Sequence, residues 1–265
     1  MRRGHWRAAL GWVYCGLLLC FVTIPIVIMV PASFGNAEVL QFPPQSFSLH
    51  WYAEVLGDQR WLDSAWLSLR LALAAAALST LAGFMVAIEH LRFGRVRPLM
   101  RAYLLLPLVA PHIVLAAGLF SMLLQARLLG SPVALALAQA CLALPLAVVV
   151  LINAVEVIDP LLWTAASSLG ARWWTVLGRV ILPNLWLSLV VALLVAFNAA
   201  WDEVTFAVFF GPIRTPTLPS KMFSYLQELI NPAVTAIATM LMALTLLLAL
   251  AAALVPRIIG KKGAP

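Results

Sequence analysis

The sequence predicts an all-α polytopic membrane protein with six transmembrane helices. Three observations carry this: 64% of residues are hydrophobic and only 10% charged, six long stretches lack Asp, Glu, Lys and Arg, and the basic residues between them fall mostly on one side. Soluble domains are about a quarter charged, so water is not the main solvent of this chain. Each uncharged stretch supplies the roughly 18 or more apolar residues that a helix needs to cross about 30 Å of hydrocarbon at about 1.5 Å per residue. Barrel strands would be shorter and would alternate, which these stretches do not. Spans are expected at about 9–31, 65–88, 102–126, 131–154, 181–204 and 232–255, in one membrane domain covering residues 1–265.

The first stretch, uncharged between Arg7 and Glu38, has basic residues before it and the small residues Pro31-Ala32-Ser33 near its end, as a secretory signal would. Its apolar run is longer than a signal's usual 7–15 residues, and five further spans follow, so it is read as an uncleaved span. Cys15, Cys20 and Cys141 fall within spans without His or acidic ligands at metal-binding spacing. They are read as small apolar filler, with no metal or cofactor expected.

Six spans put both termini on one side. That side holds Arg2, Arg3, Arg7, Arg92, Arg95, Arg97, Arg101, Arg172, Arg179, Arg257, Lys261 and Lys262, against Arg60, Arg127, Arg214 and Lys221 on the other. By the positive-inside rule both termini are cytoplasmic. The basic residues are spread over separate juxtamembrane segments rather than one patch, so topology accounts for the net charge of +7 and no nucleic-acid partner is implied. Contact with membrane lipid head groups is expected there.

Between the first two spans, the external segment from Ala32 to Asp63 contains a short amphipathic stretch, Ser48 to Leu56, in which Trp51 and Tyr52 suit an interface and form a lid over the helix ends. Pro107 and Pro111 are expected to kink the third span. Arg127 to Ser131 makes a tight hairpin into the fourth span. Before the last span, a short helix is expected from Ser220 to Leu229, closed by an Asn231-Pro232 turn.

The longest cytoplasmic loop, 155–183, has the clearest local grammar. Asp159 is a good N-cap, Pro160 suits the first helical position, and Gly170 suits a left-handed C-terminal turn. A second helix can follow as far as Pro183, giving a protruding helix–turn–helix. Ala165, Ala166 and Leu169 cluster at helical spacing, a small apolar face that another protein could approach closely. The plainer alternative is that this hairpin packs only under its own bundle.

The pattern Ala165-Ala166, three residues, Gly170, nine residues, Val180, one residue, Leu182-Pro183 resembles the signature loop of the inner-membrane permease subunits of binding-protein-dependent ABC importers. Thr164 stands where that family commonly has Glu, and Val180 where Ile is usual. Trp51-Tyr52, Leu78 to Gly83, Ala196 to Glu203 and Thr217 to Phe223 extend the resemblance along the chain, most closely to spermidine/putrescine-type permeases. The resemblance implies the type I importer permease (MetI-like) fold and a bacterial inner-membrane location. It implies a second, different permease subunit, a dimer of cytoplasmic ABC ATPases and a periplasmic solute-binding protein as partners. Thr164, Ala165, Ala166, Ser168, Leu169, Gly170, Ala171, Arg172, Leu182 and Pro183 would form the ATPase-coupling loop. The solute would be a polyamine or similar cation; relatives in the superfamily carry iron, thiamine or oxyanions. No G-x-x-x-x-G-K-[ST] phosphate loop occurs in the chain, so hydrolysis is expected on a separate chain and this subunit is not an enzyme.

Asp202 and Glu203 end the fifth span, where an ionisable residue is costly unless it faces a cavity or has a partner. Asp202 in particular is expected to face the translocation path; the alternative is an interfacial role with Arg214. Arg70 is read as a snorkelling side chain and His112 as a packed one. An intramembrane hydrolase built on Ser121 and His112 is a rival reading, but the two are nine residues apart on one helix with no nucleophile motif. A self-contained channel is another, distinguished by solute flux without ATP.

Overall fold

The computed structural model describes residues 5–38, 41–93, 98–228 and 232–260. Arg2, Arg3, Arg95, Arg97, Lys261, Lys262 and the expected turn at Asn231 lie outside the described residues. Helices account for nearly all of the rest, and the one β-type contact among the described residues is an isolated bridge between Gly35 and Phe47. By its contacts the chain divides into two compact units, Asp63–Lys221 and the terminal segments Met1–Leu62 with Met222–Pro265.

In the terminal unit, α1 (His5–Ala32) is long and apolar enough to cross a membrane. Its described side chains from Leu10 to Ile28 are largely exposed, although it also touches the C-terminal helix Pro232–Gly260 of the same unit. Cys15 and Cys20 sit on this exposed surface, and Cys141 is likewise exposed on its own helix, so none of the three fills a core. α2 (His50–Gly57) buries Trp51 and Val55, one turn apart, and packs against α12 (Pro232–Gly260). The Ser33 and Tyr52 hydroxyls lie 2.6 Å apart, tying the end of α1 to α2.

The second unit is built on α3 (Gln59–Phe93), α6 (Pro132–Glu156) and α9 (Leu182–Trp201). Their contact surfaces are alanine: Ala72, Ala75, Ala76, Ala140, Ala143, Ala147, Ala192, Ala196 and Ala200 are all buried. Lipid competes for large apolar side chains as well as protein does, so helices in a bilayer associate through small residues that let backbones approach. Gly83 marks the closest approach, since a Cβ there would lie 3.2 Å from the backbone of Ala147 and Val148 on α6. The buried Ser79 hydroxyl adds a bond across the same interface, donating to the Ala140 carbonyl at 2.9 Å.

The third expected span is broken rather than kinked. α4 (Pro98–Val109) and α5 (His112–Gln125) meet at 101°. Proline disfavours helical geometry in the residue before it, here Ala110, and Pro111 is itself extended at ψ 129°. Pro107 sits inside α4 without ending it. At about 18 and 21 Å, neither half alone covers the roughly 30 Å of a bilayer core. A tight turn then leads into α6, with Arg127 and Gly130 at positive φ and the Ser131 side chain accepting the Ala134 N–H.

The fifth span also differs from expectation. Pro183 does not separate a loop helix from a membrane helix. α8 (Trp173–Val176) runs through a π-helical turn, Leu177–Ile181, directly into α9, giving one helical span from Trp173 to Trp201. A proline inside a regular α-helix would collide with the carbonyl four residues back, and the wider π turn just before Pro183 relieves that contact. The Asn184 side-chain amide donates to the Val180 carbonyl at 2.6 Å, satisfying an acceptor in the distorted region. After α9, a six-residue helix α10 (Thr205–Phe210) and then α11 (Leu218–Glu228) precede α12.

Candidate functional site

The hairpin between α6 and α9 is set by its own residues. The Asp159 carboxylate accepts the Leu161 N–H at 2.9 Å, capping α7 (Pro160–Ser168). At the far end Gly170 takes φ +76°, and the Ala171 N–H donates to the Ala166 carbonyl at 3.1 Å, the reversal that closes a helix through a left-handed glycine. The Arg172 carbonyl then accepts the Thr175 N–H at 2.8 Å and starts α8.

The hairpin has two faces, and Ala165, Ala166 and Leu169 do not share one. Ala166, Ala171 and Trp173 are partly buried and pack, with Ile158, on a cluster made by Ala87, Ile88, Val155 and Val176. Leu161 at 70% exposure, the exposed Ala165, and Leu169 at 88% form a separate stripe at i, i+4, i+8 spacing. Packing under the bundle and presenting an apolar surface are therefore both realised, on neighbouring faces of one helix about 100° apart. Ser168, Gly170 and Arg172 are also exposed, while the Thr164 side chain lies outside the described residues. Leu182 and Pro183 are not part of the protrusion; they lie nine and ten residues into the helix that begins at Trp173, about 14 Å along its axis.

Two contacts that no local motif signals hold the hairpin's ends. His90 Nε2 lies 3.4 Å from Glu156 Oε1, joining the last turn of α3 to the last residue of α6. The Arg92 guanidinium lies over the Trp173 ring, 5.8 Å from its centroid, joining the same turn of α3 to the first residue of α8. These pairs are far apart in sequence, and only the packing of α3 beside α6 brings them together.

At the opposite end of the unit, Asp202 and Glu203 have separate roles. The Glu203 side chain is buried at 5% exposure and caps α10, its two oxygens accepting the Thr205 and Phe206 N–H groups at 2.9 and 2.8 Å. Asp202 is exposed and accepts a 3.3 Å bond from the Asn198 side-chain amide one turn back. Beside it the rings of Phe197 and Trp201 stack at 5.7 Å. Neither carboxylate forms an ion pair among the described residues, so the expected alternative with Arg214 is not made. Asp202 directly follows Trp201, at the end of the apolar helical span Trp173–Trp201 rather than in its middle.

The other candidates do not converge. Ser121 donates to the Ala117 carbonyl of its own helix at 3.4 Å, and His112 stands about 13.5 Å away along the axis of α5, too far for a nucleophile–base pair. Arg70 lies 4.9 Å from the centroid of the Trp66 ring, as an interfacial arginine would. Among the described residues no three His, Cys, Asp or Glu side chains converge as metal ligands would.

Comparison with known proteins agrees with this architecture. The spermidine/putrescine transport system permease protein PotC of Escherichia coli (strain K12) is 28% identical over 244 residues, covering 91% of each chain. The putrescine transport system permease protein PotI of the same strain is 27% identical over 250 residues, covering 91% of this chain and 86% of that one. Among solved structures, a chain from the crystal structure of a bacterial ABC transporter involved in the import of the acidic polysaccharide alginate superposes with a TM-score of 0.67 at 14% identity, covering 100% of this chain and 99% of the other; it shows a shared fold. The model of the binding-protein-dependent transport system inner membrane component matches residues 79–260, from the middle of α3 to the end of α12. The chain belongs to that family, a membrane permease component of ABC importers and not an enzyme.

Proposed function

We propose that this permease component imports a polyamine or a similar organic cation, with both termini cytoplasmic, in a complex with a second permease chain, two ABC ATPases and a periplasmic binding protein. The observation that carries the solute assignment is similarity over 91% of the chain to permeases named for spermidine and putrescine. Asp202 supports it: an exposed carboxylate that pairs with no cation among the described residues, beside a stacked Phe197–Trp201 pair, offers both charge and π-faces to a cation.

The exposed stripe of α7 is the ATPase-docking surface in this reading, because Leu161, Ala165 and Leu169 project from a hairpin fixed at both ends by its own caps. Closure of the ATPases would push this hairpin and rock the helices between inward-facing and outward-facing arrangements.

The test is reconstitution of the full complex in proteoliposomes. Spermidine or putrescine should stimulate ATP hydrolysis and accumulate inside, and Asp202→Asn should reduce uptake while leaving assembly intact. Stimulation by an iron complex, thiamine or an oxyanion, with none by polyamines, would overturn the solute assignment. Unchanged uptake by Asp202→Asn would remove Asp202 from the path.

A further inference from the structure

We propose that the last turn of α3 receives the movement of the ATPase-docking hairpin, with His90 and Arg92 as positioning residues that grip its two ends. The proposal rests on the docking reading of α7. α6 and α9 are joined to the hairpin through the chain itself, but α3 is not, and whatever the hairpin transmits to α3 must pass through side chains. Those contacts are of two kinds. Ala87, Ile88 and Leu91 of α3 belong to the apolar cluster on which Ile158, Ala166, Ala171 and Trp173 pack. Such a surface holds two elements together but permits them to slide or rotate.

The directed contacts restrict that freedom. His90 meets Glu156 just before the hairpin leaves α6, and Arg92 covers Trp173 just where it re-enters the helix leading to α9. One turn of α3 therefore holds both roots of the hairpin, so the hairpin cannot swing about one root without breaking the contact at the other.

α3 is suited to carry the displacement onward. It is helical without interruption for 35 residues. Further along, Ala72 and Ala75 pack on Ala200 with Phe197 and Trp201, the ring pair beside Asp202. Near its other end, the Ser68 hydroxyl oxygen accepts the Leu218 N–H at 2.7 Å. A contiguous chain of packed side chains thus runs from the hairpin to the helix end where Asp202 stands, along a single rigid element.

The test uses the complete reconstituted complex and reads solute taken up per ATP hydrolysed, alongside co-purification of the ATPase. Arg92→Ala should lower that ratio roughly two- to fivefold, the population shift expected from losing one exposed cation–π contact, with the ATPase still bound. Arg92→Lys, which keeps a cation over the ring, should restore most of it. Trp173→Leu should lower the ratio similarly, and the Arg92→Ala/Trp173→Leu double variant should be no worse than either single one. Leu169→Asp serves as the separate control and should release the ATPase. If Leu169→Asp leaves the ATPase bound, the docking reading fails. If it releases the ATPase while Arg92→Ala keeps the wild-type ratio, or if the two single effects add fully, the grip fails on its own.

Discussion

Replacing Gly170 by alanine isolates the backbone requirement of the hairpin. Gly170 has φ +76°, and a Cβ built on it meets nothing within 4 Å, so the substitution introduces no collision with neighbouring side chains. The whole cost is that of holding an L-residue in the left-handed region, about 1–2 kcal/mol. The chain can meet that cost or relax φ, and relaxing it gives up the Ala171-to-Ala166 reversal that ends α7. Either way, the conformation presenting Leu161, Ala165 and Leu169 is disfavoured by a factor of about 5–30. If docking selects that conformation, ATPase affinity should fall by the same factor, measured by titrating the purified ATPase onto the permease in nanodiscs. Gly170→Asn, which tolerates positive φ better, should fall between wild type and alanine. Gly178, in the π turn, has ordinary φ and open space around it, so Gly178→Ala should bind normally. Wild-type affinity for Gly170→Ala, or equal losses at both glycines, would refute the reasoning.

Three further outcomes follow from the packing. Gly83→Leu should prevent α3 and α6 from closing, because even a Cβ stands 3.2 Å from the α6 backbone; loss of the monodisperse peak in detergent is the readout. Glu203→Ala should leave two N–H groups at the start of α10 without their acceptors, a loss of about 1–3 kcal/mol visible as a lower unfolding temperature, with Glu203→Gln losing less. Ser79→Ala removes one buried interhelical bond and should cost only about 0.6 kcal/mol in the same melt, since hydrogen bonds between membrane helices average near that value.

The hairpin and the broken third span mark how far local sequence could be followed. Asp159, Pro160 and Gly170 each act within one turn of chain, by capping, by a fixed φ and by freedom at positive φ, and the structure places α7 between them. Pro183 and Pro111 also act locally, yet their outcomes depended on surroundings. Pro183 is absorbed by a π turn and the Asn184 side chain, whereas Pro111 turns the chain through 101°. Both leave the same residue-level imprint, a missing donor and a bulky ring, so the proline by itself does not distinguish the results.

What the sequence determined by itself was the part set by solvent and by the nearest few residues: a chain dominated by apolar helices, and the capped hairpin at α7. Tertiary structure alone decided which side of that hairpin faces outward, splitting Ala165 and Leu169 from Ala166. It also buried Glu203 while leaving Asp202 exposed, and set His90 and Arg92 against Glu156 and Trp173. The physical reason is range. Desolvation, capping and backbone stiffness act within a turn or across a bilayer's width, while the meeting of α3 with α6 and α9 depends on small residues scattered over more than a hundred positions, whose spacing is legible only once the helices are packed.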